Sequence, residues 1–354
     1  MTNTSFMPDW AVPPGTTVLA LMDRKGVTAR DLSGSLRTTS HDLERLFAGD
    51  LEIDEDVAVR LAKIIGGSSS FWLAREAQYR ASVARVEVAK SWATLFPIPE
   101  MTRMGWLPST TEQLSQVHAC LAFFGVSTTQ EWERKYSNAK GLAAFRDTSK
   151  FASSDGAILA WLRKGELEAR KQACRKWNKR ELTARLPELR NLTRTSEPKE
   201  FISKIQEILN ECGVRVVIIR PPKGCKAHGA TFFSEGQPIV LLSFRYLSDD
   251  QFWFTVFHEI GHLILHSEDK MFVEGNGDPT GNEEHEANEF ATSTLIPKDS
   301  LKTLRALGAN ARAVMRFAKD IGIAPGVVVG QMQHRGWLTF AQLNHLKKRY
   351  QWID

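Results

Sequence analysis

The chain has 354 residues, 42% of them hydrophobic and 25% charged, which is the make-up of an ordinary globular protein with room for two or three domains. Its first ten residues lack a positive segment followed by an apolar one, and no apolar run approaches about 18 residues, so neither secretion nor membrane spanning is supported and a cytoplasmic protein is expected. The net charge of +5 is uneven: Gly15 to Arg80 carries nine Lys/Arg against ten Asp/Glu, whereas Glu131 to Glu200 carries seventeen against ten. A basic middle of this kind reads first as a solvated helical surface and only second as a patch for nucleic acid or an acidic partner. Cys120, Cys174, Cys212 and Cys225 show no C-x-x-C spacing and read as reduced thiols rather than metal ligands.

Residues 15–80 read as a set of short helices. A first runs through Thr17–Asp23 and stops at Gly26. Thr28 caps a second, ending at Leu36, with Asp31 three residues on as an acidic capping-box partner. A polar turn, Thr38-Thr39-Ser40, leads to a third, His41–Phe47, closed by Gly49. Two short helices joined by a tight turn are the layout of a helix-turn-helix, whose second member enters the major groove. Pro13-Pro14-Gly15-Thr16, Ala48-Gly49-Asp50, Asp56–Lys63 and Ser70-Phe71-Trp72-Leu73 make this region resemble the HigA-type branch of phage-repressor-like domains. That resemblance implies operator DNA as a partner, a homodimer, and repression of the chain's own operon. The DNA-contact candidates are Arg30, Arg37, Ser40, His41 and Arg45. The recognition helix nevertheless offers more acid than base, unlike most direct readers of DNA.

Residues 81–205 read as mostly helical, with breaks at Pro97-Ile98-Pro99, Gly105–Pro108 and around Arg194–Pro198. Leu159, Trp161 and Leu162 mark a buried stripe, with Glu166, Glu168, Arg170 and Lys171 on the opposite side. No chemistry is assigned here; a connecting or sensing role suits its position. Near Phe201 the pattern changes to an amphipathic helix, then strands at Gly213–Ile219, Ala230–Phe233 and Pro238–Ser243, the last two joined by Ser234-Glu235-Gly236.

The chemistry-bearing stretch follows: Phe257-His258-Glu259-Ile260-Gly261-His262, an H-E-x-x-H inside an apolar run. Residues four apart on a helix share a face, so His258 and His262 can offer two imidazole nitrogens to one Zn2+, while Glu259 reaches a metal-held water as general base. A third ligand is sought in Asn282–Ala291. With Ala287, Phe290, Ala291 and Leu295 as the apolar face, Glu284 points into its middle and Glu286 and Glu289 point away. Glu284 is therefore the choice, with Glu283 and Glu286 as fallbacks and Asn288 as an outer hydrogen-bonding partner. His266 continues the spacing, but three histidines on one straight helix span about 12 Å, too far for one ion. It reads as a helix-end residue or a wall of the cleft. Tyr246, His228 and His334 are equal candidates for stabilising an oxyanion.

The H-E-x-x-H segment, Phe252-Trp253-Phe254-Thr255 before it, Glu284–Ala291, Leu295-Ile296-Pro297 and the tail from Phe317 to Gly330 with Gln333-His334 resemble the ImmA/IrrE family of metallopeptidases. The resemblance implies a zinc endopeptidase that cuts a regulatory protein, often a helix-turn-helix repressor or antitoxin, in a stress, toxin-antitoxin or mobile-element response. The expected fold is α+β: an all-α helix-turn-helix domain over 1–80, a helical segment over 81–200, and a zincin-like domain over 201–354 with a small sheet and metal-binding helices. The alternative is an operator-binding antitoxin or repressor whose zinc-site domain senses a partner without turnover.

Overall fold

The computed structural model describes residues 11–136, 153–274 and 281–352; the helical reading of the middle segment falls outside the described residues over 137–152. The chain divides into two compact units, Met1–Thr94 with Thr110–His118, and Leu95–Ser109 with Ala119–Asp354.

The first unit is all-helical, with α1 Pro14–Lys25, α2 Ala29–Leu36, α3 Ser40–Ala48, α4 Glu55–Ile65 and α5 Ser69–Ala93. Side-chain caps set their starts. Thr28 and Asp31 form a reciprocal capping box, and the side chains of Thr39, Asp54 and Ser68 each accept a backbone N–H of the following first turn. Because Thr39 is the cap, Ser40 is the first helical residue rather than part of the turn. Val18, Leu32, Leu43, Leu46, Leu61, Ile65 and Trp72 form one buried cluster. Arg30, Arg37, Ser40, His41 and Arg45 are all exposed, with Arg37 in the left-handed conformation that ends α2 and Arg45 paired to Asp42 at 3.2 Å.

Along the chain follow α6 Ile98–Arg103, α7 Gln113–Phe124, α8 Thr129–Tyr136, α9 Ser153–Ala169, α10 Lys179–Asn191 and α11 Pro198–Glu211. Then comes a four-stranded mixed sheet of order β1-β3-β2-β4. Here β1 (Arg215–Ile218) runs parallel to β3 (Gln237–Leu242), and β2 (Gly229–Ser234) lies antiparallel between β3 and β4 (Phe272–Val273). The β2–β3 hairpin turns on Glu235 and Gly236, both at positive φ (54° and 75°), as a two-residue turn matched to strand twist requires. The first strand is shorter than its apolar run because Gly213, at φ 85°, belongs to the turn after α11, where its missing Cβ makes room for Trp177. The two-residue β4 has no counterpart among the strands read from the sequence.

Both faces of the sheet are covered. Helix α9 lies on β1 and β3 so closely that a Cβ on Gly165 would sit 2.5 Å from Leu241 Cδ2, and Trp161 Nε1 donates to Ile219 O at 3.0 Å. The one-sided stripe expected from Leu159, Trp161 and Leu162 is therefore a helix buried all round over residues 157–162, with Glu166 and Glu168 half-buried in ion pairs to Arg163 and Lys164. On the other face Thr231 and Val240, paired in register, meet α12 (Asp249–Leu265). Thirteen of the seventeen residues of α12 are buried, so it is the central helix of this unit, not a surface one. It packs against α13 (Asn282–Leu295) and, beyond α14 (Leu301–Ala306) and α15 (Ala311–Ile321), against α16 (Pro325–His334). Gly326 and Gly330 of α16 back directly onto Asp249 and Asp250, and Lys347 closes the group with a 2.6 Å ion pair to Asp250. The architecture is thus α+β: a helical N-terminal region, a small mixed sheet with flanking helices, and a His/Glu cluster carried on helices.

Candidate metal centre

Helix α12 carries His258 and His262 one turn apart in its buried middle, with the two Nε2 atoms 3.0 Å from each other. Helix α13 approaches because Gly261 has no side chain: a Cβ there would lie 3.1 Å from Phe290 and 3.3 Å from the Ala287 backbone, tighter than ordinary contact. Ala287 and Ala291, both fully buried, continue the close seam. That approach brings Glu284 to the histidines, with Oε2 3.2 Å from His258 Nε2 and Oε1 3.6 Å from His262 Nε2.

The spacing can be tested against a metal. Two donors of a tetrahedral ion at bonds of about 2.0–2.1 Å are about 3.3–3.4 Å apart. The separations of 3.0, 3.2 and 3.6 Å bracket that value. Two imidazoles and one carboxylate, converging with no Lys or Arg in the set, fit a borderline divalent cation.

Glu259 is fully buried. Thr231 Oγ1 donates to its Oε2 at 2.6 Å, while its Oε1 has no hydrogen-bond partner. The carboxylate rests over Gly229, where a Cβ would come within 2.3 Å of Oε1. A further acid, Glu274 at the end of β4, joins Glu259 and His258 in a second set of donor atoms that all lie within 4.8 Å of one another. Neither Gly229, Thr231 nor Glu274 is marked by any sequence motif; only the β2–β4 register and the packing of β2 under α12 bring them here.

Charge follows this crowding. Burial pushes the Glu259 carboxyl well above the usual range, with the His258 charge opposing it. Burial would lower His258, but the hydrogen bond to Glu284 and the charges of Glu274 and Glu259 raise it to about 9. His262 is driven down by burial and by His258 and His266. A crowded group of carboxylates, one buried and two partly buried, that draws a proton onto one imidazole is one that favours positive charge at its middle.

The remaining candidates lie around this centre. Asn288 Oδ1 is 3.1 Å from His258 Nδ1. His266 is the cap residue of α12, and its Nδ1 is 3.0 Å from His262 Nδ1. Glu286, expected to point away, reaches His266 Nε2 at 3.0 Å from the rim of the α12–α13 seam, whereas Glu283 pairs with Lys270 outside the cluster. The His228 side chain lies 3.7 Å from Glu274, and the half-exposed Tyr246 ring packs on it, both lining a shallow cleft with Phe252 and Thr255. His334 is exposed, its ring beside Phe254, which in turn neighbours His258.

Residues 210–329 match the peptidase family described as the IrrE N-terminal-like domain, a span that holds the sheet, α12, α13 and the whole cluster. Among curated proteins no relative matches the chain. Among the described residues no helix is long and apolar enough to cross a membrane.

Proposed function

We propose that the chain is a zinc-dependent endopeptidase acting on a regulatory protein, with an N-terminal helix-turn-helix module that binds operator DNA. The observation that carries the reading is the convergence of His258, His262 and Glu284 beside the buried, half-unpartnered carboxylate of Glu259, inside the span that matches a peptidase family. In this reading the two imidazole Nε2 atoms and Glu284 hold the ion. When bound, zinc polarises a scissile carbonyl and brings the pKa of a water to about 7. Glu259 Oε1, unpartnered while Thr231 holds Oε2, would accept a proton from an attacking water and return it to the leaving amide nitrogen. Burial supports the proton-holding part of this role, because it favours the protonated carboxyl between the two transfers. Asn288 orients His258 through Nδ1. For the oxyanion, the contact between His228 and Glu274 favours the His228–Tyr246 pair over His334.

For the N-terminal module, Ser40 and His41 at the exposed start of α3, with Arg30, Arg37 and Arg45 nearby, are the DNA-facing set. The test of the catalytic assignment is Glu259→Gln. The variant should hold zinc as wild type does, retain its partner protein, and no longer cut it; undiminished cutting by Glu259→Gln would refute the assigned base.

A further inference from the structure

His266 lies outside the three-donor cluster, yet its side chain is only 4% exposed and turned back toward it. Three consecutive contacts run outward from His262: Nε2 faces Glu284 and His258, Nδ1 is 3.0 Å from His266 Nδ1, and His266 Nε2 is 3.0 Å from Glu286 Oε2. Protons can be assigned along this line by elimination. An ionised Glu286 only accepts, so His266 Nε2 carries a hydrogen. In neutral His266 its Nδ1 is then bare and accepts, so the hydrogen between the two rings belongs to His262 Nδ1. That leaves the lone pair of His262 on Nε2, the atom that faces Glu284 and His258.

We infer that Glu286 and His266 are positioning residues that fix the tautomer and ring angle of His262 for metal binding. The inference rests on the metal reading above and adds to it a route through the outer face of α13. The same helix that supplies the Glu284 carboxylate also sets the second histidine, through Glu286, while Asn288 sets the first. Phe272 of β4 completes the clamp, its ring stacked on His262 at 4.0 Å with planes 15° apart. Rotation of the His262 ring is thereby blocked on its face by packing and at its edge by the relay. Only the relay chooses which nitrogen is bare.

The test is zinc affinity of the full chain, measured by competition with a chromogenic chelator at one fixed pH. His266→Ala removes the acceptor and should weaken zinc about 10–100-fold, the usual effect of losing an outer partner of a ligand histidine. His266→Asn keeps a carbonyl oxygen at the place of the ring Nδ1 to accept from His262 Nδ1–H and should stay within a few-fold of wild type, as should Glu286→Gln, whose amide oxygen still accepts from His266. Imidazole 15N spectra of the zinc-loaded wild-type chain should show His266 with hydrogen on Nε2 alone, a readout that does not depend on any variant folding. Equal losses in His266→Ala and His266→Asn, or a His266 with hydrogen on Nδ1, would overturn the relay while leaving the metal centre intact. A wild-type chain that takes up no zinc would overturn both.

Discussion

Replacing Gly229 by alanine tests how the chain holds its buried carboxylate. An added Cβ lies 2.3 Å from Glu259 Oε1 and 2.8 Å from both Cδ and Cγ. Ordinary contact begins near about 3.5 Å, so the carboxylate must move by about 1 Å. It has little freedom to do so: Glu259 is 0% exposed, and Thr231 fixes the other oxygen at 2.6 Å. Overpacking of this size costs about 1–3 kcal/mol of stability. With Glu259 as the proposed base, a displacement of about 1 Å should cost about 100-fold in rate, or about 2.7 kcal/mol of activation free energy. Gly165→Ala is the matched control, because its Cβ would sit 2.5 Å from Leu241 Cδ2 on the opposite face of the sheet. Urea melts, zinc content and cleavage rate per folded molecule should be measured for both variants. The expected outcome is similar destabilisation and full zinc in each, with the rate lost in Gly229→Ala alone. A Gly229→Ala protein as fast as wild type, or equal rate losses in the two, would refute the role given to this contact.

Other outcomes follow from the same structure. Asp249 is 1% exposed and burial beside Asp250 lifts its carboxyl to about 6. An acid whose folded value is raised above its unfolded one destabilises the fold where it is ionised, that is above about pH 6, and the penalty fades as pH falls toward 4. Asp249→Asn should therefore be more stable than wild type at pH 7.5 by up to about 3 kcal/mol, less about 0.3–1 kcal/mol for the lost charge at the start of α12. The gap should close near pH 4 in denaturant melts, and a gap independent of pH would refute the assignment. In the N-terminal unit, Thr28→Ala removes the hydroxyl half of the capping box while the backbone N–H of residue 28 still donates to Asp31, and should cost about 0.5–2 kcal/mol, read from the thermal melt of the intact chain.

Much of the centre is legible in the sequence because local periodicity carries it. His258, Glu259 and His262 lie within one helical turn, and the Ala287, Ala291 and Leu295 spacing identifies the inner face of α13, which puts Glu284 toward α12. The hairpin is equally local, since Glu235-Gly236 between two apolar runs demands a tight turn. What was not legible depends on contacts distant in sequence. Gly229 and Glu274 are 45 positions apart and join through a two-residue strand too short to give a pattern. Thr231 is one polar residue in an apolar run until its register places it under Glu259. The stripe read in α9 is buried as expected, but periodicity reports one apolar face, whereas over residues 157–162 the helix is buried on all sides.

Two histidines of α12 and one glutamate of α13 are proposed to share a single zinc ion. Metal analysis of the purified chain beside His262→Ala and Glu284→Ala tests it most directly. One zinc per wild-type chain and a large loss in each variant are expected; wild-type protein without stoichiometric metal, or variants that keep it, would refute the shared site.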